Sequence, residues 1–197
     1  TGVQLVTALS AIANGGKLMR PMLVRRVLDD QGAEVTRWEP EVIRRVISPE
    51  TARKTLDIMR TVIEPDGTGS RAYIPEYPVA GKTGTGQKPH LRRRGYAENM
   101  WVGTFFGVAP ADDPELAVLV LIDEPKGKRY GGVVAAPAFR EIMRWTLRYL
   151  GEPSPFDTAH QVAWIAPDTL ATRRALPRQT EDTLLDLAPP VDPTAAD

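Results

Sequence analysis

Apolar positions along the chain fall into a few periodic blocks separated by polar turns. In residues 3–13, Leu5, Leu9 and Ile12 recur at helical spacing before Asn14-Gly15-Gly16. That pattern predicts a helix closed by a left-handed stop. Residues 22–28 and 34–38 flank Asp29-Asp30-Gln31-Gly32, as expected of a hairpin with a longer turn. Ser48-Pro49-Glu50 opens the next block, a hydroxyl N-cap followed by Pro where its missing N–H costs nothing. Ala52, Leu56, Met59 and Ile63 then share one helical face, and this helix is expected to end near Glu64.

Residues 79–86 follow as a short strand. Residues 100–108 and 116–123 are apolar, β-branched and aromatic runs around the polar segment 109–115. They predict an antiparallel pair at the centre of a sheet. Tyr130-Gly131-Gly132 leads into a last helix over residues 133–150. Its spacing puts Phe139, Ile142, Met143, Thr146 and Leu150 on the buried side and turns Arg140, Arg144 and Arg148 away. Gly151 and Pro153 stop it. Seven of the eighteen prolines lie in residues 151–197, which marks that segment as a Pro-rich, mostly extended tail or linker. The order helix, hairpin, helix, three strands, helix gives an α+β fold, an antiparallel sheet flanked by helices, over residues 1–150.

Composition narrows the chemistry. Of 197 residues, 42% are hydrophobic, enough for a core, and formal charges cancel to zero. Neither a nucleic-acid partner nor an acidic solvating role is favoured. No cysteine is present, so disulfides and thiolate chemistry are excluded, as suits an oxidising compartment such as a periplasm. His90 and His160 stand far apart without ligand patterns, and both are expected at the surface. No apolar run approaches the roughly 20 residues of a membrane helix. The chain starts at Thr1, not Met, and almost inside its first helix, so it is expected to be a piece of something longer.

One stretch carries candidate chemistry: residues 79–89, VAGKTGTGQKP. Gly81-Lys82-Thr83 has the ending of a phosphate-binding loop, but the first glycine of that motif would stand where Glu76 does. Pro78 removes another amide, and Gly84, Gly86 and Pro89 deny the loop its helix. The alternative is Lys82-Thr83-Gly84-Thr85, an acyl-transfer motif on a sheet-edge strand. An extended substrate can add to such a strand through main-chain hydrogen bonds. Gly84 would leave room for an approaching backbone, Thr83 and Thr85 hydroxyls can hold a carboxylate, and Lys82 supplies positive charge.

This stretch resembles the third active-site motif of the penicillin-binding proteins, and the likeness continues on both sides. Residues 11–16 (AIANGG) resemble the helix end before that family's variable hairpin. Residues 64–72 (EPDGTGSRA) resemble the turn before its motif strand. Ile122-Asp123-Glu124-Pro125, Tyr130-Gly131-Gly132 and Ala136-Pro137-Ala138-Phe139 resemble its last strand and last helix. The chain is most similar to class B members, the peptidoglycan D,D-transpeptidases of cell division. The resemblance covers residues 1–150 and implies the C-terminal portion of the transpeptidase domain, a partial penicillin-binding/β-lactamase-like fold. It implies a serine acyl-enzyme formed on a D-Ala-D-Ala stem peptide, binding of penicillin and other β-lactams, and no metal or cofactor. It further implies cell-division membrane proteins as partners and a site at the periplasmic face of the inner membrane. By the same resemblance, Lys82 orients proton transfer, Thr83 and Thr85 bind the terminal carboxylate, and Thr85 N–H forms half the oxyanion hole.

The chain departs from the family in one respect. Serines 10, 48, 70 and 154 are followed three residues later by Ala13, Thr51, Tyr73 and Asp157, never by lysine. The family's Ser-x-x-Lys and Ser-x-Asn are both missing, and in the family both precede the third motif. The isolated chain is therefore expected to be inactive. A D,D-carboxypeptidase or β-lactamase-like hydrolase, or a non-catalytic binding half-domain, remain as alternatives. With helices missing upstream, one face of the sheet is expected to be bare and the stability poor. Residues 88–98 are expected to form a solvated, positively charged loop. Asp123-Glu124 reads as structural, its side chains on opposite faces, and Trp145/Tyr149 as packing.

Overall fold

A computed structural model describes residues 1–90 and 93–154. The remainder of the expected tail, and His160 with it, lies outside the described residues. Helix α1 (Gly2–Ala13) starts in a reciprocal capping box between Thr1 and Gln4. It stops at Gly15 and Gly16, both with positive φ, while Asn14 stays on the right-handed side. Beyond it rises an arm of two nested ribbons. Strand β1 (Lys17–Met19) pairs with β4 (Val42–Arg45), and β2 (Arg26–Leu28) with β3 (Glu34–Arg37). Asp29 accepts hydrogen bonds from the Gln31 and Ala33 amides at the tip. Residues 20–46 are exposed throughout. The arm is anchored at its base, where the Arg45 guanidinium donates to the Gly15 carbonyl.

Helix α2 (Pro49–Thr61) carries the expected Ser48 cap, and Ala52, Leu56, Met59 and Ile63 are all buried. Regular helix ends before Glu64 because Gly67 and Gly69 turn the chain back, the Gly69 amide donating to the Val62 carbonyl. A single 3-10 turn, Ser70–Ala72, leads to the sheet. Its strands β5 (Ala80–Pro89), β6 (Tyr96–Ala109) and β7 (Leu116–Asp123) are antiparallel in that order. Among the described residues only β6 is central, and β7 is an edge strand, not half of a central pair. Strands β5 and β6 also run further than the apolar pattern indicated, absorbing Lys88 and Tyr96. The loop expected over residues 88–98 is correspondingly shorter.

Alternation along β6 divides the core. Phe105 and Ala109 face α4 (Ala136–Leu150), packing with Phe139, Met143 and Leu147. Phe106 and Val108 face α1 and α2, packing with Leu9, Leu56 and Met59. Both faces of the sheet are therefore covered by helices of this chain, contrary to the expectation of a bare face. Exposed apolar side chains lie on the arm and on the outer side of α4, and also on α1 (Val3, Leu5), α2 (Ile58) and β7 (Leu121).

The buried side of α4 is also shifted from the expected one. It follows Ala136, Phe139, Met143 and Leu147, whereas Ile142 and Leu150 are exposed. Trp145 and Tyr149, expected to pack, are 64% and 78% exposed. A four-residue helix, α3 (Gly131–Val134), precedes α4. Two of the arginines expected to face solvent are engaged: Arg144 and Arg148 both donate to Glu76 Oε1, at 2.5 and 2.6 Å. Nearby, Tyr77 Oη donates to the Glu152 carbonyl and Ser154 Oγ to the Glu76 carbonyl. Ordered contacts thus continue past Gly151.

The Phe105 and Phe139 rings meet at 4.6 Å between centroids, tilted by 58°. Phe139→Ala is expected to cost about 3–5 kcal/mol in urea unfolding of the chain. Hydrogen bonding to Arg144 holds the Glu76 carboxyl below the ordinary glutamate range, against the opposing effect of burial. A depressed folded-state pKa gives stability that is present above the ordinary range and is lost as pH falls through the folded value. Glu76→Gln should therefore lower the unfolding midpoint at neutral pH. The gap to wild type should close in acid, as read by melts across pH.

Candidate active site

The candidate residues sit on β5, whose outer edge is unpaired among the described residues. Alternation sends Lys82 to one face of the sheet and Thr83 and Thr85 together to the other. Lys82 is exposed and curls along the strand, Nζ donating to the Thr83 carbonyl at 2.9 Å. Thr83 Oγ1 shares a 3.0 Å hydrogen bond with Thr68 Oγ1, which ties the strand to the turn after α2. Thr85 Oγ1 accepts from the Gly131 amide at 3.2 Å. With that lone pair used, the hydroxyl proton of Thr85 is free to donate outward.

The glycines show how closely these pieces meet. A Cβ on Gly131 would lie 2.4 Å from the Gly84 carbonyl oxygen and 2.0 Å from that of Thr104. A Cβ on Gly132 would lie 2.0 Å from the Thr68 carbonyl oxygen. The backbone that approaches Gly84 is therefore that of Gly131. Gly84 itself is required because a side chain there would meet Thr104 Oγ1 at 2.2 Å. Thr68, Ser70, Arg71 and Tyr130 join Thr83 and Thr85 around a cavity of about 370 Å³. These four were not singled out as site residues from the sequence. The signal available was the flanking pair of glycine-rich blocks, residues 67–69 and 131–132.

At the far end of β5, Lys88 reaches across the sheet to Asp123 Oδ1 (2.9 Å) and Glu124 Oε1 (2.7 Å). Hydrogen bonds to Glu124 and then Asp123 raise its pKa. The acidic pair is structural, as expected, but its side chains converge. The strand ends at Asp123, and Glu124 takes a left-handed φ of 48°. Lys88 is thus a paired strand residue, not a free cation of the loop expected over residues 88–98. Two of the four serine hydroxyls have local work: Ser48 caps α2 and Ser154 bonds Glu76. No metal-holding group of His, Asp and Glu occurs among the described residues. No helix among them is long and apolar enough to cross a membrane.

A sequence model of the penicillin binding protein transpeptidase domain matches residues 1–144. The chain belongs to the penicillin-binding protein transpeptidase family. Its relatives are class B members. Stage V sporulation protein D of Bacillus subtilis is 41% identical over 77% of this chain and 23% of its own length. A probable peptidoglycan D,D-transpeptidase of Pseudomonas aeruginosa, PbpC, is 38% identical over 76% of this chain and 24% of its own. Among solved structures, penicillin binding protein 3 of Mycobacterium tuberculosis, complexed with ampicillin, superposes with a TM-score of 0.70 at 31% identity. That match covers 80% of this chain and 36% of the other. The chain spans about a quarter of the length of the curated relatives it matches, so its architecture is part of the penicillin-binding transpeptidase fold.

Gly131→Ala should force α3 away from β5 and break the Thr85 contact. A loss of more than about 2 kcal/mol is expected from overpacking against backbone. Unfolding of the variant against wild type checks it, with Gly86→Ala on β5, where a Cβ meets nothing within 4 Å and φ is not left-handed, as comparison for glycine replacement as such.

Proposed function

We propose that this chain is the C-terminal portion of a peptidoglycan D,D-transpeptidase, with residues 151–197 a Pro-rich tail beyond the catalytic domain. The observation that carries this reading is Lys82-Thr83-Gly84-Thr85 on an open sheet edge, with Thr85 oriented by Gly131. The intact enzyme forms a serine acyl-enzyme on a D-Ala-D-Ala stem peptide and transfers it to the amine of a neighbouring peptide. The nucleophilic serine and its lysine, in Ser-x-x-Lys, and the Ser-x-Asn motif are contributed from outside this sequence. Residues 1–197 alone are therefore inactive.

In this mechanism Lys82 is the fixed cation that orients proton transfer among the active-site hydroxyls. Thr83 and Thr85 donate to the terminal carboxylate of the peptide, or to that of a β-lactam, as fits a relative that is solved with ampicillin. Gly84 keeps the strand flat beside Thr104. The Thr85 N–H supplies one oxyanion donor, a contribution of about 2.7–4 kcal/mol where such donors have been removed. The intact protein is anchored in the inner membrane with this region in the periplasm, among the membrane proteins of cell division.

The intact protein is expected to take a covalent label from fluorescent penicillin, and residues 1–197 none. Lys82→Ala should slow labelling by about 10²–10⁴-fold, the range of positioned proton transfer. Thr85→Val should slow it about tenfold through loss of a hydrogen bond to a charged group. An intact protein that is not labelled would overturn the assignment. Release of the acyl group mainly to water, with an amine acceptor present, would make it a hydrolase.

A further inference from the structure

The cavity beside Thr83 and Thr85 holds more than the recognition of one terminal carboxylate requires. Its volume of about 370 Å³ is the space of roughly a dozen waters, whereas the departing alanine is one small residue. The wall opposite β5 is built by Thr68, Ser70 and Arg71. Its polar side chains are hydroxyls and one guanidinium, and no Asp or Glu lines it.

Arg71 is the charged side chain of this wall. Arg20, Arg37, Arg60, Arg140, Arg144 and Arg148 all hold carboxylates. Arg129, near the same cavity, is stacked 4.3 Å over Trp101. Arg71, like Arg25, Arg26, Arg44 and Arg53, is exposed and makes neither kind of contact, but it alone of these stands beside Thr83 and Thr85, with Glu64 and Asp66 unused on the same connection. A cation left unneutralised among hydroxyl donors favours an anion. The wall is also held in place: Thr68 is bonded to Thr83, and Gly132 packs against the Thr68 carbonyl.

We infer that Arg71, with Ser70, forms a second anion subsite that takes a carboxylate on the acyl acceptor. The inference rests on the transpeptidase reading above. By microscopic reversibility the incoming amine occupies the place vacated by the leaving alanine amine. The carboxylate beside that amine then falls to Thr83 and Thr85. An acceptor bearing a second carboxylate further along its side chain extends into the space by Arg71. In the transfer itself the amine nitrogen bonds the acyl carbon as the serine ester bond breaks. The proton leaving nitrogen ends on the serine oxygen. Arg71 exchanges no proton; it selects the acceptor.

The test compares D-glutamate, D-glutamine and D-alanine as acceptors for the acyl group of a thioester donor on the intact protein. Wild type, Arg71→Ala and Arg71→Lys are each measured. In wild type, D-glutamate should be preferred over D-glutamine by about tenfold or more, the effect of one charge-assisted hydrogen bond. Arg71→Ala should erase that ratio through a raised KM for D-glutamate, and Arg71→Lys should restore part of it. If acyl-enzyme forms and the ratio is the same in wild type and Arg71→Ala, the inference is wrong and the transpeptidase reading stands. If wild type forms no acyl-enzyme with donor or penicillin, both fall together.

Discussion

The contact on which the site depends is the packing of bare backbone at Gly131 and Gly132 against β5 and the Thr68 turn. Two glycines in succession let α3 approach carbonyl oxygens of Gly84, Thr104 and Thr68 with no side chain between. That approach presents the Gly131 amide to Thr85 and so decides which way the Thr85 hydroxyl points. It also delivers the chain into α4 at the position where Phe139 meets Phe105. Site geometry and core packing on this face are thus consequences of one close approach. Hydroxyl orientation is inherited from a backbone fit, which is stiffer than any side-chain hydrogen bond alone.

Much of this was legible in the sequence. The α2 face, the bounds of β7 and the helix stop at Gly15-Gly16 follow from local rules of periodicity, capping and glycine conformation, and local rules were enough for them. The motif on β5 was legible because its residue types are unusual together. What escaped depended on contacts between distant segments. The α4 stripe was read as including Ile142 and Leu150, but the helix rotates so that Leu147 enters the core. Periodicity gives a stripe's spacing and not which stripe wins. Arg144 and Arg148 looked solvated because their partner, Glu76, lies some 70 residues earlier and is drawn in only by the sheet.

The two faces of the sheet teach a related lesson. The chain spans about a quarter of its relatives' length, yet α1 with α2 on one face and α4 on the other supply both layers. Sequence order concealed this, since α1 and α2 precede the sheet and α4 follows it. The strand alternation of Phe105 and Phe106 is what assigns them to opposite sides. Lys88 adds to the coherence of this sandwich by spanning from the first strand to the end of the third.

The arm stands apart from this interdependence. Its residues 20–46 are exposed throughout, and each ribbon's strands pair only within that ribbon. Core packing therefore exerts no selection on its length or its residues. Insertions, deletions and drift there pass unnoticed by the sandwich below, provided that the base at Gly15 and Arg45 still closes. For the folding of the sandwich, the arm is ballast: its sequence is free wherever its own ribbons still close.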